Sequence, residues 1–105
     1  MSDINNVTFI GRLTRDSELK ITNSGFQILQ FSIANNYRAK EGDSYIDKVN
    51  FFDVKLFGKI AESLNNYLLK GKQVAISGEL RQDRWDTEAG PRSKILIHAN
   101  SVQMI

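Results

Sequence analysis

The stretch Phe51-Phe52-Asp53-Val54-Lys55-Leu56-Phe57-Gly58-Lys59-Ile60-Ala61-Glu62-Ser63-Leu64-Asn65-Asn66-Tyr67-Leu68-Leu69-Lys70-Gly71-Lys72-Gln73-Val74-Ala75-Ile76 changes its apolar period twice. Over Phe52, Val54 and Leu56 the period is two, as in a half-buried strand. From about Lys59 to Leu69 it is helical: Ile60, Leu64 and Leu68 recur at every fourth position with Ala61 beside them, making one apolar stripe. Alternation then returns at Val74 and Ile76 and continues through Gly78 and Leu80. Gly58 punctuates the start of the helix, and Gly71 lies just past its end, where a left-handed residue is favoured.

Working outward, two further extended segments precede this stretch and one follows it. Strand one runs from about Asn5 to Leu13, with Val7, Phe9, Gly11 and Leu13 on one face. Gly11 is placed for a bend or bulge. The segment resumes through Leu19 and Ile21 before the turn signal Asn23-Ser24-Gly25. Strand two covers about Phe26 to Asn36, where Leu29, Phe31 and Ile33 alternate with Gln30 and Ser32. The polar run Arg38 to Ser44 reads as a loop, and strand three as Lys48 to Phe57. Strand four spans Gln73 to Trp85, Thr87 to Pro91 form a hairpin loop, and strand five fills Ser93 to Met104. The order β-β-β-α-β-β predicts an all-β protein: a five-stranded OB-fold Greek-key barrel with one helix between strands 3 and 4. With no linker, repeat or low-complexity tract, residues 1–105 read as a single domain.

Composition narrows the classes of function. The chain of 105 residues is 41% hydrophobic and 25% charged, which suits a globular domain. Fourteen Lys and Arg against 12 acids leave a net charge of +2, as compatible with solubility as with nucleic acid, so the placement of the charges matters more than their sum. The absence of cysteine excludes disulfides, thiol nucleophiles and cysteine-based zinc sites. His98, the one histidine, has no partner residue for catalysis or metal binding. Gly58-Lys59 and Gly71-Lys72 lack the upstream glycine and following Ser/Thr of a phosphate loop. Asp83 and Asp86 lie along a loop rather than converging on a metal. The expectation is a non-enzymatic protein with no cofactor and no metal. Met1 to Asn6 lack a secretory pattern, and no apolar run approaches the roughly 18–20 residues of a membrane span, so a soluble cytoplasmic protein is expected.

Strand three carries the most informative chemistry. Phe52, Val54 and Leu56 point to the core, which sends Phe51, Asp53, Lys55 and Phe57 to the other side. A solvated face does not usually carry two phenylalanines. Strand four places Glu79, Arg81, Asp83 and Trp85 on its non-core parity, with Trp85 beside Arg84 and near Arg81. Tyr37 beside Arg38 is a third aromatic and cation pair. Rings interleaved with Lys and Arg suit unpaired nucleic acid, because each base offers a π-face and the cations neutralise the phosphates between. The plainer reading is that these rings pack on a partner subunit or a neighbouring loop.

Along nearly its whole length the chain resembles the bacterial single-stranded DNA-binding protein (SSB) family. The resemblance rests on Asn6-Val7-Thr8-Phe9-Ile10-Gly11-Arg12-Leu13-Thr14-Arg15-Asp16, Leu56-Phe57-Gly58-Lys59-Ile60-Ala61-Glu62, Tyr67-Leu68-Leu69-Lys70-Gly71-Lys72-Gln73-Val74, Gly78-Glu79-Leu80-Arg81 with Trp85, and Val102-Gln103-Met104. It implies an OB-fold homotetramer, with a dimer as the alternative, that binds single-stranded DNA with little sequence preference in replication, recombination and repair, associated with the nucleoid. It places base stacking at Tyr37, Phe51, Phe57 and Trp85, with Tyr37 and Phe51 standing where the family has tryptophans. It places phosphate contacts at Lys20, Lys59, Lys70, Arg81 and Arg84, with Lys72 and Arg12 added. Asp83 departs from the basic residue often found there, and Phe52 from a histidine that supports tetramer contacts in some members. The family usually continues into a flexible linker and an acidic tip that recruits other enzymes; the sequence stops at Ile105, so tail-mediated partners are not expected. The rival readings are an accessory resembling primosomal replication protein N, a dimer acting mainly through protein contacts, and an OB domain whose rings meet oligosaccharide or protein.

Overall fold

The computed structural model describes residues 2–105. Its elements are β1 (Val7–Leu13), β2 (Glu18–Ile21), β3 (Gln27–Glu41), β4 (Ser44–Phe57), α1 (Lys59–Asn65), β5 (Gln73–Thr87) and β6 (Gly90–Met104). β1 and β2 are two halves of the expected first strand, so the barrel keeps five staves. β1 pairs with β5 from Val7↔Gly78 to Arg12↔Gln73 and then crosses to β3 at Arg12↔Ala34 and Leu13↔Ile33. That crossing closes the circuit β1-β5-β6-β4-β3-β1. β4 and β6 run parallel at Val54↔Ile97 and Lys55↔His98, and every other pairing is antiparallel. The fold is the expected OB barrel.

Closure brings backbones too close for side chains at two places. A Cβ on Gly11 would collide with the Ile33 side chain and lie 2.7 Å from the Ala34 carbonyl oxygen. A Cβ on Gly78 would strike the His98 carbonyl and lie 2.8 Å from Ala99 Cα, at the register shift between Ser77 and Gly78. The extra residue of this bulge is Asn100 of β6, and it bends β6 where that strand passes Gly78.

Inward residues from every stave fill the interior: Leu13, Leu29, Phe31, Ile33, Val54, Leu56, Val74, Ile76 and Ile97, with Ala61 and Leu68 capping one end. Phe52 is half-buried and meets Phe9 edge to face at 5.2 Å.

Four expectations need correction. The Arg38 to Ser44 loop is strand instead: β3 and β4 continue in register to Glu41↔Ser44, so the turn is only Gly42-Asp43. The helix stops at Asn65, short of Leu69. Its last residue and its C-cap are asparagines, which compete for backbone groups through their carboxamides. Asn65 Oδ1 accepts a hydrogen bond from Ser17 Oγ at 2.9 Å, and the Tyr67 and Leu68 amides both return to the Leu64 carbonyl. Leu68 is thus buried from a turn rather than from the helix, while Ile60, read as part of the buried stripe, is exposed. Leu80, read as core, is also exposed: it lies past the last β1–β5 pair at Val7↔Gly78, and just beyond its own pairing with Ile97 the two strands β5 and β6 continue as a long arm.

Candidate nucleic-acid interface

The uninterrupted β3–β4 register fixes which side chains share the outer surface. Phe51, Asp53, Lys55 and Phe57 lie opposite Ala34, Ser32, Gln30 and Ile28, all on the side away from the core. The parallel pair Lys55↔His98 sets the outward residues of β6 beside them, and β5 adds Arg81↔Leu96, Asp83↔Lys94 and Trp85↔Arg92. Between the β5–β6 arm and the barrel wall lies an open groove of about 260 Å³ bordered by Trp85, Lys55, Asp53, Asp83, Lys94 and Arg15.

Phe51 is 67% exposed and Trp85 47%, so both rings lie open to solvent. Phe57 is half-buried, its ring 6.0 Å from Phe26 and 4.8 Å from His98. Tyr37 is exposed but pairs with Lys48, which by strand alternation puts it on the opposite face of the β3–β4 hairpin from Phe51. Arg38 does not pair with Tyr37. Its guanidinium lies 5.6 Å from the Tyr45 ring centroid and 3.5 Å from Asp47.

The cations fall into distinct groups. Lys20 shares an outward row with Ile28 and Phe57, and exposed Lys59 begins α1 just after Phe57. Arg12 shares a row with Ala34 and Phe51, and its Nη1 donates to the Gly71 carbonyl at 3.2 Å. Lys70 and Lys72 flank that same glycine. Arg81 is engaged by Glu79, and Arg84 donates to Gln82 Oε1 at 2.7 Å. By alternation, Arg84 is on the opposite face of β5 from Trp85.

Two ion pairs span the groove. Lys55 Nζ meets Asp83 Oδ2 at 2.7 Å, and Lys94 meets Asp53, whose other oxygen accepts from Ser32 Oγ at 2.5 Å. Such part-exposed pairs contribute up to about 1 kcal/mol each. They tie the arm to the barrel and leave the carboxylates neutralised beside Trp85. Arg15, Lys94, Tyr45 and Phe26 join this surface without having been singled out from sequence. Parity alone marks Phe26, which falls on the Ile28 and Gln30 side.

The hydrogen bond from Lys94, followed by that from Ser32, holds the Asp53 carboxyl below its ordinary 3.8 despite partial burial. Burial first, and Arg81 second, lower the His98 imidazole from 6.5. Its Nε2 is enclosed without a hydrogen-bond partner. Both groups bind protons less readily in the folded chain than in the unfolded one, so both favour folding at higher pH. The His98 contribution fades as pH falls below 6.5, and that of Asp53 as pH falls below 3.8. The urea midpoint is therefore expected to fall between about pH 7.5 and 5.5, and His98→Asn to flatten that interval. Equal midpoints for the wild type across it would contradict the assignment.

A sequence model of the single-strand binding protein family matches residues 4–105. The chain is 51% identical over 105 residues to a single-stranded DNA-binding protein of Treponema pallidum, covering all of this chain and 60% of that one. It is 53% identical over 106 residues to one from Borreliella burgdorferi, covering 99% of this chain and 71% of that one. A solved structure of Plasmodium falciparum SSB in complex with ssDNA superposes with a TM-score of 0.89 at 23% identity, over 100% of this chain and 97% of that one. That likeness extends to the fold.

Proposed function

The chain belongs to the single-strand binding protein family, and from that premise we propose that it binds and protects single-stranded DNA in replication, recombination and repair by base stacking and phosphate neutralisation. The observation that carries the reading is the outward face of β4, β5 and β6: Phe51 and Trp85 open to solvent, Phe57 farther along the same face of β4, and cations in the same rows. Each ring takes the face of one unpaired base, and no ring reads a base edge, so sequence preference is small. Lys20, Lys59 and Arg12 neutralise phosphates along the rows of Phe57 and Phe51, with Lys70, Lys72 and Arg81 extending the positive path and Arg84 meeting the strand only where it passes to the other face of β5. A strand that also reaches Tyr37 must turn around the edge of the β3–β4 hairpin, since that ring is on the far side. Nothing is cleaved or formed; the protein holds single strands apart and keeps them from re-pairing.

Duplex DNA keeps its bases stacked inside and gains little from such rings unless they intercalate. A labelled oligo-dT bound to the protein is expected to be displaced by unlabelled single strands of any sequence but poorly by duplex of equal length. Equal displacement by duplex would refute the stacking mechanism. The slope of log K against log salt is expected near −0.7 per phosphate neutralised.

Assembly into a homotetramer is part of the same proposal. β1 is bonded to β5 along its length and to β3 only at Arg12 and Leu13, so its Val7–Ile10 edge has no neighbouring strand among the described residues. Such an edge invites pairing with a second copy, and exposed Ile10 is on it. Sedimentation mass distinguishes tetramer from dimer.

A further inference from the structure

Phe26 stands apart from the four rings already assigned. It is 51% exposed, its ring centroid lies 6.0 Å from that of Phe57, and the planes meet at 40°. It is not on a loose loop. The Thr22 amide donates to the Phe26 carbonyl at 2.8 Å, the Phe26 amide donates to Thr22 Oγ1 at 3.0 Å, and the Gly25 amide donates to the Thr22 carbonyl at 2.9 Å. Those bonds close the β2–β3 turn and fix where the ring projects. By alternation along β3, Phe26 is on the outward side with Ile28, which sits between Lys20 and Phe57 in the sheet. The turn therefore presents a ring at the end of the row that already holds Phe57 and a lysine.

We propose that Phe26 is a further base-stacking residue, extending the strand path past Phe57 to the β2–β3 turn with Lys20 as its phosphate contact. The inference rests on the single-strand-binding reading above and deepens it. The 6.0 Å between ring centroids exceeds the rise of about 3.4 Å per nucleotide in a duplex strand. Bases lying on the two rings are thus unstacked from each other, and each ring holds one base of an extended strand. The tilt between the rings turns the strand as it passes from one to the next. His98 closes the row on the other side of Phe57, its ring 4.8 Å away.

The test places the only tryptophan at this position. In Trp85→Phe/Phe26→Trp, the residue-26 emission is followed while oligo-dT is added, and binding is monitored separately by anisotropy of a labelled strand. The expected result is quenching that saturates with the anisotropy. Phe26→Ala is expected to weaken binding roughly tenfold, with Phe26→Tyr restoring most of it. Because Phe26 is half exposed and its turn is held by backbone and Thr22 bonds, the unfolding midpoint of Phe26→Ala should stay close to wild type. If the strand binds but residue-26 emission is unchanged and Phe26→Ala binds like wild type, Phe26 is a packing partner of Phe57 and the inference is overturned. If wild-type protein fails to bind the labelled strand, the single-strand-binding reading itself falls, and this inference with it.

Discussion

Replacing Trp85 and Phe57 together by alanine is expected to weaken oligo-dT binding by roughly 2–6 kcal/mol, the sum of two stacked bases at about 1–3 kcal/mol each. The two rings differ in what else they do. Trp85 is open to solvent on the β5–β6 arm, so Trp85→Ala should leave the fold untouched. Phe57 also packs on Phe26 and His98, and its removal carries a structural cost. Phe57→Leu separates the two roles, because leucine keeps the apolar packing and lacks the π-face. Equilibrium titration of each variant, with a urea midpoint beside it, checks the prediction. Wild-type affinity in the double variant would mean the stacking surface lies elsewhere.

The second large effect concerns the barrel. Gly78→Val is expected to destabilise the fold by about 3 kcal/mol or more, a large fraction of the roughly 5–15 kcal/mol that holds a domain together. Its Cβ would strike the His98 carbonyl, and Ala99 Cα and the His98 carbonyl carbon would lie within 2.9 Å. Neither neighbour is a flexible side-chain tip. Gly78 is bonded in register to Val7 on one side and Ala99 on the other, so the backbone has nowhere to retreat. A polar substitution at exposed Ile95, out on the β5–β6 arm, should by contrast change the urea midpoint little. A Gly78→Val protein unfolding at the wild-type midpoint would show that the bulge tolerates a side chain.

The barrel was legible because its inward residues alternate. Leu29, Phe31 and Ile33, Val54 and Leu56, and Val74 and Ile76 all point where their period requires. The arms were not legible for the converse reason. Beyond the barrel both faces of a hairpin meet solvent, so Arg38 to Glu41 show no apolar alternation and read as loop. Leu80 keeps the inward parity but lies past the last β1–β5 pair at Val7↔Gly78 and is exposed. The helix was overextended because Leu68 satisfies the helical period while being buried from a turn. Within the site, the outward placement of Phe51 and Phe57 followed from parity alone. The side of the hairpin on which Tyr37 falls depended on whether β3 and β4 stay in register through the supposed loop. The Lys55–Asp83 and Lys94–Asp53 pairs join strands distant in sequence, and only the parallel β4–β6 contact brings them together. Asp83, which a strand-only view sets against phosphate, is thereby neutralised by its neighbour.

The most direct measurement follows Trp85, the single tryptophan, through an oligo-dT titration at several salt concentrations. Its emission is expected to fall to a saturating plateau as a base covers the ring, with the affinity decreasing steeply as salt rises. A strand that binds while leaving the emission unchanged, or that binds equally well at all salt concentrations, would contradict an interface built of open rings and phosphate-neutralising cations.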